Sequence, residues 1–474
     1  MIGSGVGGSV TAGLLARSGR RVLVLEKNPT LGGVLASYDR DGFKLDFGSH
    51  LISRGARGPF GEVFARAGIP GPRFLTHPIP VRSRGMFEIT APASRAGLPH
   101  AALEAARQLG LSARERAHLA RMLFQVFTLT EWELRRWDRR TLDEFILQHT
   151  EHPGAYFLFS FLASIFFVLP PWQVSAGESI RALRQVIGSY QLSYVEGGMD
   201  SIAHALLGLV VDARGDLVTH ARAVAIRPTT RGFAVATRDA EYRAPIVACN
   251  MAPADVDALV EGGLPGDYGA QAAAVRGSGN AHQLKLALRR PLVEEGCLIG
   301  GVSTDGKTLG DLSLDLMRNT VASIDAGAVS DPLAIYAPVP TNYDPSLGPG
   351  QLIVASIYGP TCDAPQDAPA RWRDRAMAAM RAIIPGLDDE LLFTEWTPIR
   401  AVAGWRGKST RGAICNGHQP GQVGRDRLPV ETPLPGLYIV GDGAGGRGIG
   451  TELAAVSAME AIDAIAEHAQ RRAA

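Results

Sequence analysis

The chain has 474 residues and a formal net charge of +1, with 48 basic and 47 acidic side chains. This balance creates no strong electrostatic field, so we expect neither nucleic acid nor another highly charged polymer as a partner. Hydrophobic residues make up 46% of the chain and charged residues 20%, as is typical of globular proteins. The length suggests about three domain-sized units, which two interleaved domains could supply.

The cysteines predict neither a metal site nor a disulfide framework. Cys249, Cys297, Cys362 and Cys415 lie far apart and form no Cys-x-x-Cys pair. This usage is typical of a reducing compartment, and no signal peptide precedes the first motif. The expected localisation is therefore cytoplasmic, and contact with a membrane surface is left open.

The first motif is Gly3-Ser4-Gly5-Val6-Gly7-Gly8, which fits G-x-G-x-x-G. A helix is predicted from Gly7 to about Ser18, and the apolar run Val22–Leu25 then ends at Glu26. This is the fingerprint of a dinucleotide site: the glycines let the backbone approach a pyrophosphate, and the acid binds a ribose hydroxyl. The helix N-terminus offers free N–H groups and a positive dipole end to the phosphates.

The strand before this turn contains only Met1 and Ile2, although a buried strand usually has about five residues. Either the start is truncated or the first strand is very short. After Glu26, Lys27 leads through a turn to the pair Gly32-Gly33. A short alternating strand, 43–48, then delivers Gly48-Ser49-His50 to a loop, and an amphipathic helix follows to about Ala67.

The fingerprint, the glycine pair six residues beyond the acid and the loop Asp46-x-Gly48 resemble the FAD-binding superfamily of amine oxidases, protoporphyrinogen oxidases and phytoene-desaturase-like enzymes. The resemblance implies FAD as the cofactor. It places Lys27, Gly32, Gly33, Gly48 and Ser49 among the cofactor-binding residues. In that family the glycine pair is usually followed by arginine, whereas Val34 stands here, so one expected flavin or phosphate contact is missing.

Residues from about 75 to 190 are predicted to be mostly helical, with a strongly apolar segment at 156–169. The segment is shorter than the ~20 residues needed to span a bilayer. It predicts either a buried core helix or the wall of an apolar substrate tunnel or membrane-dipping entrance. It holds five of the 16 phenylalanines, which favours a lipophilic substrate.

The pattern of alternating strands and helices returns at Gly197-Gly198-Met199, which precedes a predicted helix and the strand Ala223–Ile226. This order resembles the second segment of the family's FAD domain, where a strand valine bonds adenine through its backbone. Val224 is the matching position, and a core position for its side chain is a compatible reading. Another strand, 246–249, follows a predicted hairpin.

Residues from about 279 to 400 are predicted to form a second piece of the substrate domain. The strand 282–288 alternates, so Gln283, Lys285 and Ala287 share a face. Lys285 resembles the lysine that holds a water against flavin N5 in polyamine-oxidase-like enzymes. A lysine in an apolar site has a lowered pKa and could act as a base, whereas a solvated strand lysine is the alternative. A further strand at 352–358 and a helix at 368–384 follow.

The tail carries a second strong signal: the strand Leu437–Asp442, a glycine-rich turn and a helix from Thr451 to about Arg471. It resembles the closing motif of the family, in which the aspartate lies near the ribityl chain and pyrophosphate and the last helix points its N-terminus at flavin O2. The residues assigned to cofactor binding by this match are Gly441, Asp442, Gly450, Thr451 and Glu452.

Five residues bear on the chemistry at the flavin. His50 could donate to flavin N5 or O4 or to a substrate oxygen, and with Lys285 it is a candidate catalytic residue. Arg447 could contact flavin or substrate oxygen, and Trp405 could stack. Ile449 occupies the place of an aromatic cage residue of amine oxidases, which counts against amine oxidation and favours a hydrocarbon-like substrate.

The predicted fold is an α/β, Rossmann-like FAD-binding domain interleaved with an α+β substrate-binding domain. The FAD-binding domain is assigned to residues 1–75, 191–275 and 401–474, and the substrate-binding domain to 76–190 and 276–400.

The predicted function is that of a phytoene-desaturase-like oxidoreductase. It would transfer a hydride between a lipophilic, polyene- or isoprenoid-like substrate carbon and flavin N5, forming, reducing or isomerising C=C bonds. Oxygen and a quinone are candidate electron acceptors. The alternatives are an amine or porphyrinogen oxidase, and a non-catalytic FAD-binding lipid carrier.

Overall fold

The structure is a computed structural model that describes residues 1–48, 50–360, 369–407, 414 and 417–473. Ser49, Cys362, Cys415 and the first residue of the predicted helix 368–384 lie outside these ranges. The two cysteines within them, Cys249 and Cys297, are buried free thiols.

The strands are β1 (Leu23–Leu25), β2 (Ser37–Arg40), β3 (Phe43–Asp46), β4 (Phe74–Thr76), β5 (Arg82–Ser83), β6 (Ser193–Val195), β7 (Asp216–Val218), β8 (Ala223–Thr229), β9 (Gly232–Thr237), β10 (Glu241–Ala244), β11 (Val247–Cys249), β12 (Asn280–Leu288), β13 (Cys297–Val302), β14 (Leu333–Pro338), β15 (Gln351–Gly359), β16 (Leu391–Thr397) and β17 (Leu437–Ile439).

The helices are α1 (Val6–Arg17), α2 (Pro59–Ala67), α3 (Leu98–Gln108), α4 (Ala113–Thr128), α5 (Glu131–Trp137), α6 (Leu142–Leu147), α7 (Pro153–Phe167), α8 (Ala176–Ser189), α9 (Asp200–Asp212), α10 (Pro253–Leu259), α11 (Asp267–Ala274), α12 (Leu314–Asp325), α13 (Pro340–Tyr343), α14 (Pro369–Ile383), α15 (Leu387–Glu390), α16 (Ile399–Arg406) and α17 (Gly450–Ala473).

The first sheet is parallel and has Ile2 at its centre. Strand β1 pairs with β7 and β11 pairs with β17, while Ile2 bridges Leu25 on one side and Cys249 on the other. The Ile2 N–H donates to the Ala248 carbonyl at 2.9 Å, and the Asn250 N–H donates to the Ile2 carbonyl at 2.8 Å. The two residues before the glycine turn therefore connect the two halves of the sheet.

Three helices cover this sheet and share one apolar core. Val10 of α1 packs in it with Ile202 and Leu206 of α9 and with Ala455 and Met459 of α17. Both glycine-rich turns are therefore attached to helices that pack together. The three helices predicted at these places are confirmed, and each runs away from the glycine turn that precedes it.

The second sheet has six strands in the order β16-β12-β15-β14-β13-β5. Helix α14 covers one face, where Trp372 and Met380 are fully buried against Leu284, Leu286 and other strand residues. Every residue of β12 is buried, so its alternation does not separate a solvent face from a core face. Both faces of this central strand are therefore covered by protein or face an internal space.

The segment between β5 and β6 is helical, α3 to α8. Three of its helices begin with a reciprocal capping box, in which a Ser or Thr and a Glu three residues later satisfy each other's backbone donors. The pairs are Ser112 with Glu115, Thr130 with Glu133, and Thr141 with Glu144. The predicted apolar segment is α7, whose Tyr156 and Phe167 are buried in the core of this region. Among the described residues, no helix is both long and apolar enough to cross a membrane.

The chain alternates between the two sheets. Strands of the first sheet come from three separate parts of the sequence, and the helical segment and the second sheet are inserted between them. This order is the one expected for interleaved domains, and the boundaries given above remain predictions.

His282 on β12 should make the fold sensitive to acid. It packs against Trp372 and Trp396 with ring centroids 5.2 and 4.8 Å away, and neither ring nitrogen has a hydrogen-bond partner among the described residues. Burial lowers the pKa of His282 to about 4. A histidine with a lowered pKa contributes stability above its unfolded pKa near 6.5, and this contribution is lost as the pH falls towards 4.

We therefore expect His282→Leu to reduce the acid sensitivity of folding. Relative to the variant, the wild-type free energy of unfolding should fall by about 1.4 kcal/mol per pH unit between pH 6 and 4.5, measured by urea unfolding. The control is His118→Leu on α4, since His118 is exposed. Parallel pH profiles for wild type and H282L would contradict the expectation.

Candidate cofactor and substrate site

The three predicted glycine segments meet at one point. A Cβ on Gly7 would lie 2.8 Å from the backbone nitrogen of Gly441. A Cβ on Gly33, whose φ is +59°, would lie 2.8 Å from the Cα of Gly5. These approaches are closer than any side chain allows, so glycine is required because backbone packs on backbone here. The contacts bring together the start of α1, the glycine pair and the end of β17.

Asn250 fills the space between these glycines. Its amide nitrogen lies 2.5 Å from the position a Cβ would take on Gly5, and its Oδ1 lies 2.9 Å from that of Gly7. Sequence reasoning ended the strand at Cys249 and missed this residue. The available signal was its position directly after a parallel strand, since ligands bind at the carboxyl ends of such strands.

Glu26 is buried at the end of β1 and is held by the glycine turn. One carboxylate oxygen accepts from the Ser4 N–H at 2.9 Å and from the Ser4 hydroxyl at 2.7 Å. The other accepts from the Asn28 N–H at 2.9 Å. The acid is thereby oriented beside the phosphate loop and lines the same cavity.

Lys27 lies next to Glu26 and lines the cavity as well. Its ammonium donates to the carbonyls of Gly404 at 2.9 Å and Trp405 at 2.7 Å, near the carboxyl end of α16. Burial lowers the pKa of Lys27, and the neighbouring Arg222 lowers it further. Lys27 therefore links α16 to the nucleotide end of the cavity.

A single large cavity of about 1390 Å³ runs from the phosphate loop into the substrate domain. It exceeds the ~300–1,000 Å³ typical of a small-molecule pocket, so it has room for a large cofactor and a second molecule. Predicted cofactor residues line its first part: Gly3, Gly5, Gly7, Glu26, Lys27, Gly33, Gly48, Asp442, Gly450, Thr451 and Glu452. Gly8, Gly32 and Gly441 lie behind this lining, where Gly8 packs on the turn itself.

The second sheet forms the floor of the cavity. Gln283 on β12 stands opposite Ser356 on β15, which stands opposite Tyr336 on β14, which stands opposite Ile299 on β13. All four residues of this row line the cavity. Gln283 is the end of the row near the glycine turns, because it also lines a small space that Gly48 borders. The side chains of the row change from polar at Gln283 to apolar at Ile299.

The cavity continues beneath α7 as an apolar tunnel. The lining residues here are Val81, Phe87, Ile89, Leu158, Phe161, Ile165, Phe166 and Val186. Phe87 meets Phe161 edge to face with ring centroids 6.0 Å apart. Helix α7 thus buries one face in the core and turns another towards the cavity. A role of the second face in binding substrate stays a prediction.

His50 lies at the junction of the polar and apolar parts. Its Nε2 is 3.5 Å from the Ser356 hydroxyl, and its Nδ1 is buried with no partner in the described part of the chain. Burial, with a smaller contribution from the charge of Lys285, lowers the pKa of His50 to about 3. His50 is therefore neutral at physiological pH and can offer a hydrogen bond to a bound molecule, but it cannot serve as a cationic acid.

Lys285 does not reach the large cavity. Its ammonium donates to the Tyr38 hydroxyl at 2.6 Å and pairs with Glu395 at 3.1 Å, and it borders a separate space of about 60 Å³. Burial lowers the pKa of Lys285, and the Glu395 carboxylate opposes that shift. Gln283, two residues earlier on the same face, lines both spaces, and its buried Oε1 accepts from none of the described residues. Of the residues on this face, the structure therefore places Gln283 at the large cavity, and a catalytic role for Lys285 stays a prediction.

Val224 also lies outside the cavity. Its side chain is 50% exposed, so it is not a core residue, and the strand register shifts between Ala223 and Ala225. The preceding residues Ala221, Arg222 and Ala223 line the cavity beside Glu26. The predicted backbone contact of Val224 with adenine stays a prediction, and its neighbour Ala223 is the residue of this strand that lines the cavity.

The start of α17 lines the cofactor part of the cavity as well. Gly450, Thr451 and Glu452 line it, next to Ile449. Both oxygens of Glu452 are engaged by Arg54, at 2.9 Å from its N–H and 2.7 Å from its Nε. Burial raises the pKa of Glu452 despite the guanidinium. Glu452 thus fixes the loop after His50 to the helix start.

Arg447 is turned away from the cavity. It pairs with Glu178 at 2.6 Å and with Asp138 at 2.8 Å, so it joins the turn before α17 to α8 and the end of α5. The geometry therefore does not place Arg447 in contact with a flavin or substrate oxygen. Trp405 does line the cavity, and it stacks on Phe47 with ring centroids 3.9 Å apart and an interplanar angle of 3°.

These residues fit FAD, the cofactor that the sequence resemblance implies. Helix α1 has Gly5 as its N-cap and no side-chain cap, so its first N–H groups are available to phosphate. Glu26 stands at the end of β1, where the acid of a dinucleotide fingerprint binds a ribose. The unpartnered polar atoms of His50 and Gln283 belong to side chains that line the space beyond Gly48.

Glu26→Gln should weaken FAD binding by about 1–3 kcal/mol, because the amide cannot accept from Ser4 and Asn28 at once and loses the charge that favours a ribose hydroxyl. The measurement is titration of the apoprotein with FAD, followed by flavin fluorescence. Glu62→Gln, at a position on α2 away from the cavity lining, is the matched control. Equal FAD affinity for E26Q and wild type would remove the ribose assignment.

Comparison with known proteins identifies the family. Residues 7–466 match the family model of flavin-containing amine oxidoreductases. Among curated relatives, rat all-trans-retinol 13,14-reductase is 43% identical over 62 residues, which are 13% of this chain and 10% of the reductase. Carrot chloroplastic prolycopene isomerase is 52% identical over 52 residues, which are 11% of this chain and 8% of the isomerase. Each match covers only a small part of the relative's length.

Among solved structures, cyclohexylamine oxidase from Brevibacterium oxydans IH-35A superposes with a TM-score of 0.65 at 15% identity, over 99% of this chain and 98% of the oxidase. At this identity the likeness shows the fold alone. The family match, in contrast, extends over nearly the whole chain. The protein therefore belongs to the flavin-containing amine oxidoreductase family and is an FAD-dependent oxidoreductase.

Proposed function

We propose that this enzyme transfers a hydride between flavin N5 and a carbon of a long lipophilic substrate, polyene- or isoprenoid-like, and so forms, reduces or isomerises a C=C bond. The observation that carries the proposal is the apolar tunnel beneath α7, which begins at His50 and Gln283 and has no carboxylate among its described lining residues. A hydrocarbon chain is the ligand that such a wall binds, because burial of apolar surface drives its entry.

The partial matches to a retinol reductase and a prolycopene isomerase support the same substrate class. Ile449 supports it as well, since an aliphatic side chain at the cavity wall cannot stabilise an amine cation as an aromatic ring does. Amine oxidation remains the second candidate, because the family description names it and because Trp405 presents an aromatic side chain to the cavity.

Bound FAD supplies the hydride chemistry, and the protein supplies position, dryness and hydrogen bonds. The phosphate loop and Glu26 would hold the nucleotide, and the start of α17 would present its dipole to the same cofactor. Apolar side chains of α7 exclude water from the reacting carbons. Gln283 and neutral His50 would orient the reacting groups, since each keeps a buried polar atom that none of the described residues engages.

The direct test is anaerobic mixing of the holoenzyme with candidate substrates while flavin absorbance is followed. Bleaching by a polyene or prenyl lipid, re-oxidation of the dithionite-reduced enzyme by it, or its isomerisation without net flavin change would support the proposal. Bleaching by amines with no response to any polyene would overturn it. Ile165→Glu, which puts a charge in the tunnel, should raise KM for the lipid at least about tenfold at unchanged FAD content. Val211→Glu, at an exposed apolar position on α9, is the control.

Gln283 and Lys285 should have separable roles. Gln283→Leu should slow flavin reduction about tenfold or more and leave stability nearly unchanged, because it removes the amide that lines the cavity. Lys285→Met should lower the free energy of unfolding by about 2 kcal/mol, because it removes the buried ammonium between Glu395 and Tyr38 and leaves Glu395 paired with Arg40 alone.

Stopped-flow reduction rates and urea unfolding of both variants provide the comparison, with Lys307→Met as a partly exposed lysine control. A K285M enzyme of wild-type stability that is slow in flavin reduction would reverse the two assignments.

A further inference from the structure

The far end of the apolar tunnel opens at a surface that carries two arginines. Beyond α7, several residues that line the cavity are exposed to solvent. They are residues 93–96, Arg57 before α2, Thr76 and Pro78. Arg57 and Arg95 are the charged side chains of this group. The opening is therefore cationic at its rim, while the tunnel behind it is apolar.

The carboxylates that line the cavity are not paired with the two arginines of the rim. Glu26 lies beside the phosphate loop, Asp442 follows β17, and Glu452 is engaged by Arg54. Lys27 and Arg222 are further cationic lining residues, beside Glu26. Within the part of the chain that the structure describes, neither Arg57 nor Arg95 pairs with a carboxylate. Their positive charge is therefore uncompensated at the opening and available to an anion.

Contacts with the end of α8 place the two arginines on the same rim. The Arg57 guanidinium donates to the Ser189 carbonyl at 3.0 Å. The hydroxyl of the next residue, Tyr190, donates to the Pro92 carbonyl at 2.7 Å, three residues before Arg95. Tyr190 itself lines the cavity, and so does Ser94, which adds a hydroxyl beside Arg95.

We propose that the substrate carries an anionic group, a carboxylate or a phosphate, at one end of its apolar chain. This inference rests on the proposed function, since it names the substrate class of the same cavity. The chain enters the tunnel first and the anion stays at the rim, where Arg57 and Arg95 bind it with charge-assisted hydrogen bonds. Anchoring one end sets which carbon of the chain lies beside Gln283 and His50, so the rim decides the position of the reacting bond.

The test is a binding measurement that needs no turnover. The holoenzyme is titrated with cis-parinaric acid, a fluorescent polyene carboxylate, and with its methyl ester. We expect the acid to bind at least about tenfold more tightly and to lose affinity with added salt, while the ester does not. Displacement by hexadecanoate or by hexadecyl phosphate then reports whether the rim prefers a carboxylate or a phosphate.

Arg57→Gln and Arg95→Gln should each weaken binding of the acid about threefold to tenfold and leave the ester within about twofold, because the arginines lie at a partly screened surface. Arg116→Gln, at an exposed position on α4 outside the lining, is the matched control. Equal affinities for acid and ester, or equal losses for both in the arginine variants, would overturn the proposal.

The binding result is independent of the redox test. Acid-selective binding by an enzyme whose flavin responds to no polyene would leave the anion site in place and remove the proposed reaction. Flavin cycling by polyenes without acid selectivity would do the reverse.

Discussion

The close approach of backbone to backbone around Asn250 is the constraint on which the rest of the structure depends. Gly5, Gly7 and Gly441 have no room for a Cβ, because the Asn250 side chain and neighbouring peptide groups occupy those positions. Residues from both ends and the middle of the chain meet there. The first sheet, with Ile2 between β1 and β11, holds these turns at one edge, where the carboxyl ends of its strands point.

Buried ion pairs attach the inserted helical segment to this centre. Arg447 joins the turn before α17 to Glu178 and Asp138, and Asp138 is also paired with Arg181 of α8 at 2.5 Å. A separate pair, Arg54 with Glu452, connects the loop after His50 to the start of α17. Because such charges are costly to separate once buried, the pairs of Arg447 hold α5 and α8 against the turn before α17. Arg54 and Arg447 are thus charged residues near the glycine turns that bind carboxylates of the protein and do not line the cavity.

The chemical character of the residues that line the cavity changes along its length. Backbone N–H groups and a carboxylate line the nucleotide end, uncharged hydrogen-bonding groups follow at His50, Gln283 and Ser356, and apolar side chains form the tunnel. Burial keeps His50 neutral, so the middle of the cavity has polar atoms without charge.

Features that depend on local backbone geometry could be predicted from the order of the residues alone. A glycine turn, the helix after it and an acid at the end of the next strand are specified by neighbouring residues, which is why Gly3 to Glu26 and Gly441 to Glu452 were assignable. The apolar run in α7 was equally visible. Which side chains face the cavity, in contrast, depends on packing between distant segments. Strand β12 is buried on both faces, so alternation could not tell that Gln283 lines the cavity and Lys285 pairs with Glu395. The partners of Arg447 and the rim formed by Arg57 and Arg95 come from segments far apart in sequence, and folding alone brings them together.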